Sequence, residues 1–296
     1  MTAARQRALV AVADTGSVRA AARELVVTES AVSAAISSLA RELGVDLLAR
    51  SGRGVVLTDA GQVYSRYARA MLGLAEEALA AVRSRPDPTR GELRLAAVTT
   101  AGEHVLPGVL AGFLRRYADV RPSLHVDRSD LVWRRLEAHE VDLVIAGRPP
   151  DHLAVTVGAI RLNRLLVIAA PSVAATFDLP RTPWLQREEG SGTRVAAEAY
   201  LQAREADPPR LVLGSNGAVV AGAVAGLGVT LISEDAVSTK LAAGRVVPVR
   251  CTGMPLRRPW HVAHWPALPG TAALFLDYLL GMPGWSSPRR RPSSAG

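Results

Sequence analysis

The chain has 296 residues, of which 49% are hydrophobic and 21% charged, and its formal net charge is +8. These values are typical of an ordinary soluble protein with room for two domains and a sizeable core. The basic excess favours anionic partners, and the single cysteine, Cys251, excludes an intramolecular disulfide.

We expect a cytoplasmic protein. The N-terminus has no signal-peptide pattern, and no apolar run approaches the ~20 residues that a membrane span needs. A lone cysteine also fits a reducing compartment.

A first helix is predicted over residues 3–14, and two shorter helical patterns follow it. Ser17 and Thr28 are suited to cap these two helices, because their hydroxyl groups accept hydrogen bonds from free backbone N–H groups. Gly44 gives the backbone freedom that ends the last helix. Two helices joined by a short turn predict a helix-turn-helix, whose second helix enters the DNA major groove. Spacing of this kind also occurs in other small helical domains.

A β-hairpin wing is predicted over residues 47–57, where Arg50 and Arg53 would meet phosphates. A long helix follows over residues 59–83, and Asp59 in its first turn suits the helix dipole. Apolar residues recur along this helix at spacings of three or four, so we expect them to pack on a second subunit; packing within the same domain is the alternative. This predicted dimerisation stripe consists of Val63, Tyr67, Met71, Leu74, Ala78 and Val82.

Residues 84–91 hold two prolines and a glycine among charges, which indicates a hinge. Strands then alternate with helices, which predicts an α/β fold with a parallel sheet covered on both faces. The strands are predicted at 93–98, 124–127, 142–146, 165–169, 210–213, 229–232 and 260–263. The helices are predicted at 105–117, 130–139, 194–204, 218–225, 234–242 and 271–280. Residues 286–296 are of low complexity, and we expect them to be disordered.

The N-terminal part reads AVADTGSVRAAARELVVTESAVSAAISSLARELGVDLLAR, followed by GRGVVLTDAG. It resembles the DNA-binding domain of LysR-type transcriptional regulators. The resemblance implies a winged helix-turn-helix over residues 1–58 and a long helix at 59–83 that pairs subunits into a homodimer or homotetramer. Such an assembly would bind double-stranded operator DNA. The implied DNA-contacting residues are Thr28, Glu29, Ser30, Ser33, Ser37, Arg50 and Arg53.

This chain departs from the usual family pattern in its recognition helix. Glu29 and Ser30 stand where the family usually has Gln-Pro, and Ala34 and Ala35 stand where Arg, Gln or His is common. Fewer long side chains are therefore available to donate hydrogen bonds to base edges.

Two further segments, REEGSGTR at 187–194 and LGSNGAVVAGAVAGLGVTLIS at 213–233, resemble the effector domains of LysR-type regulators of sulfur assimilation and carbon fixation. The resemblance implies a two-lobed domain over 92–285 that is similar to periplasmic binding proteins. One lobe would span 92–160 and 265–285, and the other 163–262, with chain crossings near 160–163 and 263–266.

The same resemblance implies a small anionic metabolite between the lobes. The residues support this expectation, because ligands of α/β sheets gather at the carboxyl ends of strands and anions gather at helix N-termini. For each hydroxyl or amide residue at such a helix start, plain N-capping is the alternative role. Glu189 and Gly217 differ from the usual Pro and Glu of that group. The effector-binding candidates are Thr99, Thr100, Ser129, Ser191, Gly192, Thr193 and Asn216.

Two other functions are compatible with parts of the sequence. The two-lobed region alone would suit a solute-binding protein of a transporter, but the N-terminal 90 residues and the missing export signal argue against one. An enzyme is not expected, because no GxSxG elbow, HExxH pattern or cysteine cluster is present. His261 and His264 could share a metal, but no nearby carboxylate supports this. We therefore predict no catalytic residue, no metal and no cofactor apart from the effector.

Overall fold

The structure is a computed structural model that describes residues 2–51, 54–83 and 87–288, without the side chains of 76, 77 and 80–83. The chain divides into two units. The first contains the residues up to 84 together with 137–140, and the second contains the remainder.

The first unit begins with three helices, α1 (Ala3–Thr15), α2 (Val18–Glu24) and α3 (Glu29–Leu43). Their apolar residues form one core, in which Leu9, Val32, Ile36 and Leu39 are at most 4% exposed. The predicted caps are present, because Ser17 accepts a hydrogen bond from the Ala20 N–H and Thr28 one from the Ala31 N–H.

A hairpin and a long helix complete this unit: β1 (Leu48–Ser51), β2 (Gly54–Leu57) and α4 (Asp59–Arg83). The two strands pair antiparallel. Gly61 lies in the first turns of α4, where a Cβ atom would overlap the carbonyl oxygen of Leu47, so the close approach of helix and wing requires a glycine. One side of α4 packs on α1, where Ala68 is buried and Arg69 forms an ion pair with Asp14.

The second unit alternates strands and short helices. Its elements, in chain order, are β3 (Gly91–Val98), α5 (Thr99–His104), α6 (Leu106–Arg116), β4 (Val120–Asp127), α7 (Ser129–Glu137), β5 (Leu143–Ala146), β6 (Thr156–Arg161), β7 (Arg164–Ala169), α8 (Pro171–Ala175), β8 (Trp184–Gln186), α9 (Gly192–Gln202), β9 (Arg210–Val212), α10 (Asn216–Val224), β10 (Thr230–Ser233), α11 (Glu234–Ala242), β11 (Val247–Pro248), β12 (Leu256–Arg257), β13 (Trp260–His264), α12 (Gly270–Leu280) and β14 (Trp285–Ser286).

The first lobe is built on a six-stranded sheet with the order β14-β6-β13-β5-β3-β4. Both of its faces are covered, so adjacent residues of β3 are buried on opposite sides: Leu95 packs in a core with Phe113 and Phe275, and Ala96 packs in another with Trp133. The prediction of a parallel sheet is wrong for half of this sheet. Strands β3, β4 and β5 are parallel, whereas β13 runs antiparallel to both β5 and β6.

The second lobe is centred on β7, which pairs antiparallel with β10, β11 and β12. Strands β8 and β9 form a parallel pair beside it. Trp184 on β8 is fully buried and stacks on Tyr200 of α9, with ring centroids 5.9 Å apart. Here too the sheet is mostly antiparallel, so the alternation of strands and helices is a poor guide to strand direction.

The chain passes between the lobes at two adjacent points. The first crossing joins β6 to β7 through Leu162 and Asn163, as expected. The second lies at Arg258 and Pro259, so the expectation of a crossing near 263–266 is wrong: β13 belongs to the first lobe, where it lies between β6 and β5. The Arg258 N–H donates to the Asn163 carbonyl oxygen at 2.9 Å, which ties the two crossings together.

Some element boundaries also differ from the predicted ones. Helix α5 begins at Thr99, where the sequence predicts only a strand end, and α7 ends at Glu137 because His139 has a positive φ of 55°. Ser286 pairs with β6 and does not belong to a disordered tail, while residues 289–296 lie outside the described chain.

Candidate DNA-binding surface and interlobe cleft

The recognition helix α3 exposes a face of short polar side chains. Thr28 Oγ1 accepts from the Ala31 N–H at 3.2 Å and lies 2.9 Å from the Ser30 hydroxyl oxygen. Ala31 is also exposed, because α3 contacts the core from another side of the helix, where Val32, Ile36 and Leu39 are buried. All the DNA-contacting residues predicted in and beside this helix are exposed: Thr28, Glu29, Ser30, Ser33 and Ser37.

The wing contributes one described basic residue to the same set. Arg50 on β1 is exposed. Arg53 lies outside the described residues, so its phosphate contact stays a prediction.

The predicted dimerisation stripe on α4 is exposed to solvent in the single chain. Val63 is 45% exposed, Tyr67 66% and Leu74 53%, which is unusual for large apolar side chains. Met71 is 38% exposed although its Sδ accepts a hydrogen bond from Gln6, and Ala78 is also exposed. The side chain of Val82 lies outside the described residues. One side of α4 therefore packs on its own domain, and the packing of the exposed stripe on a second subunit stays a prediction.

A cleft lies between the two lobes of the second unit, at the C-terminal ends of β3 and β4 and at the N-terminus of α9. Its volume is about 50 Å³, which admits a few groups of water size. Six of the seven predicted effector-binding residues line it: Thr99, Thr100, Ser129, Ser191, Gly192 and Thr193.

The seventh predicted residue, Asn216, lies behind the cleft wall and joins the lobes. Its side-chain nitrogen donates to Thr100 Oγ1 at 2.9 Å, and its side-chain oxygen accepts from Arg187. Asn216 and Arg187 are at most 6% exposed, so this is a buried polar network. Arg187 is also paired with Glu188, with Nη2–Oε1 at 2.6 Å.

Glu188 keeps its charge in this network. Burial is the largest single influence and acts to raise the pKa of its carboxyl group, but the hydrogen bonds from Arg187 and from the backbone, together with the charges of Arg187 and Arg128, hold the pKa below the ordinary value. The pair therefore remains ionised, and its charges largely cancel.

Ser191 shows that capping and a position in the cleft are compatible, although the sequence presents capping and binding as alternatives. It is 3% exposed, lines the cleft and caps α9 by accepting a hydrogen bond from the Arg194 N–H at 3.5 Å. The preceding Gly190 has a φ of +81°, and a Cβ atom there would lie 2.6 Å from Asp130 Oδ1 of the first lobe. This position therefore needs glycine both for its backbone conformation and for the approach of the two lobes.

Three arginines at the cleft are absent from the residues that the sequence predicts: Arg128, Arg187 and Arg258. Arg128 is balanced by Asp130, with Nε–Oδ1 at 2.8 Å but without hydrogen-bond alignment. Arg187 is balanced by Glu188. Arg258 is different, because no carboxylate of the described chain forms an ion pair with it.

Arg258 lies on the second crossing and reaches both lobes. Its Nη1 donates to the carbonyl oxygen of Gly192 in the second lobe, and its guanidinium lies close to Gly147 in the first. Burial lowers the pKa of this guanidinium from its usual range, because the charged form has lost water without gaining a counter-charge. It also lies beside the N-terminus of α9, the positive end of that helix dipole.

No sequence motif marks Arg258, because it lies in a loop far along the chain from the other cleft residues. Arg187, in contrast, is the first residue of the REEGSGTR segment and could have been included. Arg128 precedes Ser129 directly, and a search for basic residues next to the hydroxyl candidates would have found it.

The histidine pair considered for a metal has other surroundings. His264 Nδ1 lies 2.6 Å from the Trp265 carbonyl oxygen. Among the residues that the structure describes, no group of three or more potential metal ligands occurs. Within the same ranges, no helix is long and apolar enough to span a bilayer.

Comparison with known proteins assigns both units. Residues 4–62 match the bacterial regulatory helix-turn-helix protein, lysR family, and residues 86–282 match the LysR substrate binding domain. The chain belongs to the LysR family of transcriptional regulators.

Relatives of this LysR-type regulator include the RuBisCO operon transcriptional regulator of Acidithiobacillus ferrooxidans, which is 31% identical over 271 residues that cover 88% of this chain and 87% of the relative. The transcriptional regulator CbbR of Rhodospirillum rubrum is 32% identical over 248 residues, or 82% and 83% of the two chains. These relatives agree with the predicted resemblance to regulators of carbon fixation.

Solved structures agree with the fold. The Synechocystis CcmR regulatory domain in complex with 2-PG has a TM-score of 0.60 and 28% identity, and the match covers 65% of this chain and 97% of that one. A full-length OxyR variant from Pseudomonas aeruginosa has a TM-score of 0.70 over 99% of both chains, but its 19% identity supports the fold alone.

The family assignment confirms the main predictions. This chain is a DNA-binding transcriptional regulator with a winged helix-turn-helix and a two-lobed α/β effector domain. Because its relatives are named transcriptional regulators, the alternatives of an enzyme and of a solute-binding protein are not supported.

Proposed function

We propose that this LysR-type regulator is controlled by a small anionic metabolite that binds in the interlobe cleft. The proposal includes a DNA-binding domain over 1–58, a dimerisation helix over 59–83, a hinge over 84–91 and an effector domain over 92–285. It also includes assembly into a homodimer or homotetramer and action in the cytoplasm.

One observation carries the proposal: Arg258 is a half-buried cation that forms no ion pair with a carboxylate of the described residues. A charge that has lost its water is costly unless it is paired, and the positive end of α9 next to it adds to this cost. An anion at this place would remove the cost and would also accept hydrogen bonds from the backbone N–H groups at the start of α9. The surroundings of Arg258 are therefore electrostatically suited to a ligand of negative charge, whereas the carboxylate of Asp127 elsewhere in the cleft lining would keep the charged group of the ligand on the Arg258 side.

The hydroxyl groups around the cleft support a ligand with more than one polar group. Thr99, Thr100 and Ser129 belong to the first lobe, whereas Ser191 and Thr193 belong to the second. An anion that engages both lobes favours the closed arrangement, because only a ligand with different affinities for two arrangements can shift their balance. The 2-PG in the complex of the CcmR regulatory domain belongs to this chemical class.

The exposed stripe on α4 supports the proposed assembly. Large apolar side chains such as Tyr67 and Leu74 gain stability when a second copy covers them, and the same stripe on the second copy makes the contact symmetric. Two subunits would present two α3 helices to two operator half-sites.

Calorimetric titration of the full chain tests the effector proposal. We expect 2-PG and inorganic phosphate to bind and raise the midpoint of thermal unfolding, whereas glycerol does neither. Binding should weaken with rising salt, because Arg258 and the α9 N-terminus act through charge. Failure of every small anion in a broad panel to bind would contradict the proposal.

The variant Arg258→Gln tests the residue that carries the argument. Removing one partner of a buried charge pair costs about 2–5 kcal/mol, so the affinity for the anion should fall by roughly 30-fold or more. Arg245→Gln is the matched control, because it removes an exposed arginine of the second lobe, away from the cleft lining. Equal anion affinities for the two variants would contradict the assignment of Arg258 to the site.

A further inference from the structure

The recognition helix offers few side chains that can tell one base from another. Its exposed residues along the first three turns are Glu29, Ser30, Ala31, Ser33, Ala34 and Ser37. From residue 29 to residue 40 there is no Arg, Lys, Asn or Gln, the residue types that most often form paired hydrogen bonds with guanine or adenine.

Glu29 is the one long polar side chain in this set, and it is the first residue of α3. Recognition helices contact base edges with their N-terminal residues, so its position is the one from which bases are read. Its side chain is 60% exposed, and the only ion pair that the described chain gives it is with Arg19 at 3.8 Å, which is itself 80% exposed. A pair so open to water contributes little and does not fix the carboxylate.

A carboxylate on a DNA-binding face is unfavourable unless it makes a specific contact, since every nearby phosphate repels it. The major groove presents two amino donors, N4 of cytosine and N6 of adenine, and a carboxylate pairs preferentially with cytosine because the N7 acceptor of adenine lies beside its amino group and repels the second carboxylate oxygen. We infer that Glu29 is a specificity-determining residue that accepts a hydrogen bond from a cytosine in each operator half-site. The inference rests on the DNA-binding role of the family and is independent of the effector.

The neighbouring side chains make this contact accessible. Ser33 lies one turn below Glu29 on the same face, and Ser30 is held by the Thr28 hydroxyl. Serine donates and accepts, so it discriminates weakly between bases. Short side chains also let the helix axis approach the groove floor closely enough for Glu29 to reach a base edge. The half-site should therefore contain one strongly selected cytosine among weakly selected positions.

The test is an in vitro selection of duplex DNA with the full chain and three variants, followed by titration of the selected site. The wild-type protein should prefer cytosine at one position of each half-site by roughly 5- to 100-fold over the other bases. Glu29→Gln should shift this preference to adenine, because a side-chain amide pairs with the N6 and N7 atoms of that base. Glu29→Ala should remove the preference without creating another.

Glu24→Gln is the matched control. Glu24 is also exposed, and it ends α2 outside the recognition helix, so its removal changes the charge equally and should leave the selected base unchanged. A further measurement needs no variant. Replacing the selected cytosine by N4-methylcytosine puts a methyl group in place of the proton that faces the major groove. This change should lower the DNA affinity of the wild-type protein but not that of Glu29→Ala.

The alternative is that Glu29 only complements the dipole of α3 and pairs with Arg19. In that case Glu29→Gln would lower the thermal midpoint and select the same base as the wild-type protein, which would overturn the inference. Selection of a half-site without a preferred cytosine, or an unchanged affinity for the N4-methylcytosine site, would overturn it as well.

Discussion

The two anion-facing surfaces of this protein are built in opposite ways. The DNA-binding face of α3 and the wing carries short, solvated side chains, of which Ser33 is an example, beside the exposed Arg50. The interlobe cleft collects three arginines in a partly buried space and leaves Arg258 without a counter-charge among the described residues. The chain therefore binds DNA through solvated side chains and, as we propose, binds a small anion through partly buried arginines.

The difference follows from the size of the partner. DNA offers a phosphate at every step, so affinity is the sum of many weak, screened contacts and falls steeply with salt. A small anion offers one or two charged groups, so each protein charge must act where water is excluded and the local dielectric is low. The two surfaces should therefore respond differently to substitution, and four predictions test this in order of decreasing effect.

The cleft should depend on the core of its own unit, whereas the DNA-binding face should not. Phe113 is fully buried and its ring centroid lies 5.0 Å from that of Phe275, so Phe113→Ala should cost about 3–5 kcal/mol of unfolding free energy. All five tryptophans lie in the second unit, at 133, 184, 260, 265 and 285, so tryptophan fluorescence during urea unfolding measures that unit. Phe177→Ala at a half-buried position is the control, and losses of the same size in both variants would contradict the prediction.

The buried network across the cleft should contribute less than the core. Asn216→Ala removes the partner of Thr100 Oγ1 and of Arg187 together, which leaves buried polar groups unpaired and should cost about 1–3 kcal/mol. The midpoint of thermal unfolding should fall, and the affinity for a small anion should change because the lobes are no longer joined there. Ser238→Ala, an exposed position on α11, is the control. An unchanged midpoint for Asn216→Ala would mean that the network adds nothing.

Removal of a single charge from the DNA-binding face should lower the DNA affinity only slightly. Its clearest effect should be on how steeply that affinity falls with salt. Arg50→Ala should lower the affinity for every duplex alike and reduce the slope of log K against log salt by about 1. Fluorescence anisotropy over a series of salt concentrations measures both quantities. Arg121→Ala, an exposed arginine on β4 of the other unit, should leave the slope unchanged. A sequence-dependent loss for Arg50→Ala would assign it to base recognition.

The smallest expected effect is a dependence of stability on pH at the cleft end of the first sheet. Burial lowers the pKa of His261 from its ordinary value of 6.5, the hydrogen bond with the Gly147 backbone opposes this, and Arg148 reinforces it. Because His261 takes up a proton near pH 6.5 in the unfolded chain but only at lower pH in the folded chain, acidification below 6.5 should destabilise the protein. His261→Gln should lose less stability than the wild-type protein between about pH 7 and about pH 5.5, as measured by thermal unfolding. If the stability of both proteins fell equally with pH, His261 would not be the source of the pH dependence.

The sequence is most informative where neighbouring residues determine the structure. The caps at Ser17 and Thr28 and the glycine that ends α3 act within one turn, so their residue types alone predict them. The long helix from Asp59 to Arg83 has the predicted bounds for a similar reason, because its apolar residues repeat along a single element.

Long-range features are the ones that the sequence could not supply. Strand β13 has an apolar pattern that would fit either lobe, and only its pairing with β5 and β6 assigns it to the first. The charge balance of the cleft depends in the same way on Arg128, Arg187 and Arg258, which come from three distant segments. Spacing along the chain does not report which of them has a carboxylate beside it.

The adjacency of the two chain crossings limits how the lobes can move. Since Arg258 and Asn163 are hydrogen-bonded backbone to backbone, both connections lie on one line. Rotation of the lobes about these crossings would keep this bond while it opens contacts such as the one between Asn216 and Thr100, whereas a sideways slide would break the bond itself. The length of the bound ligand would thereby determine the angle between the two lobes. A ligand that is longer by one atom would hold the lobes at a wider angle.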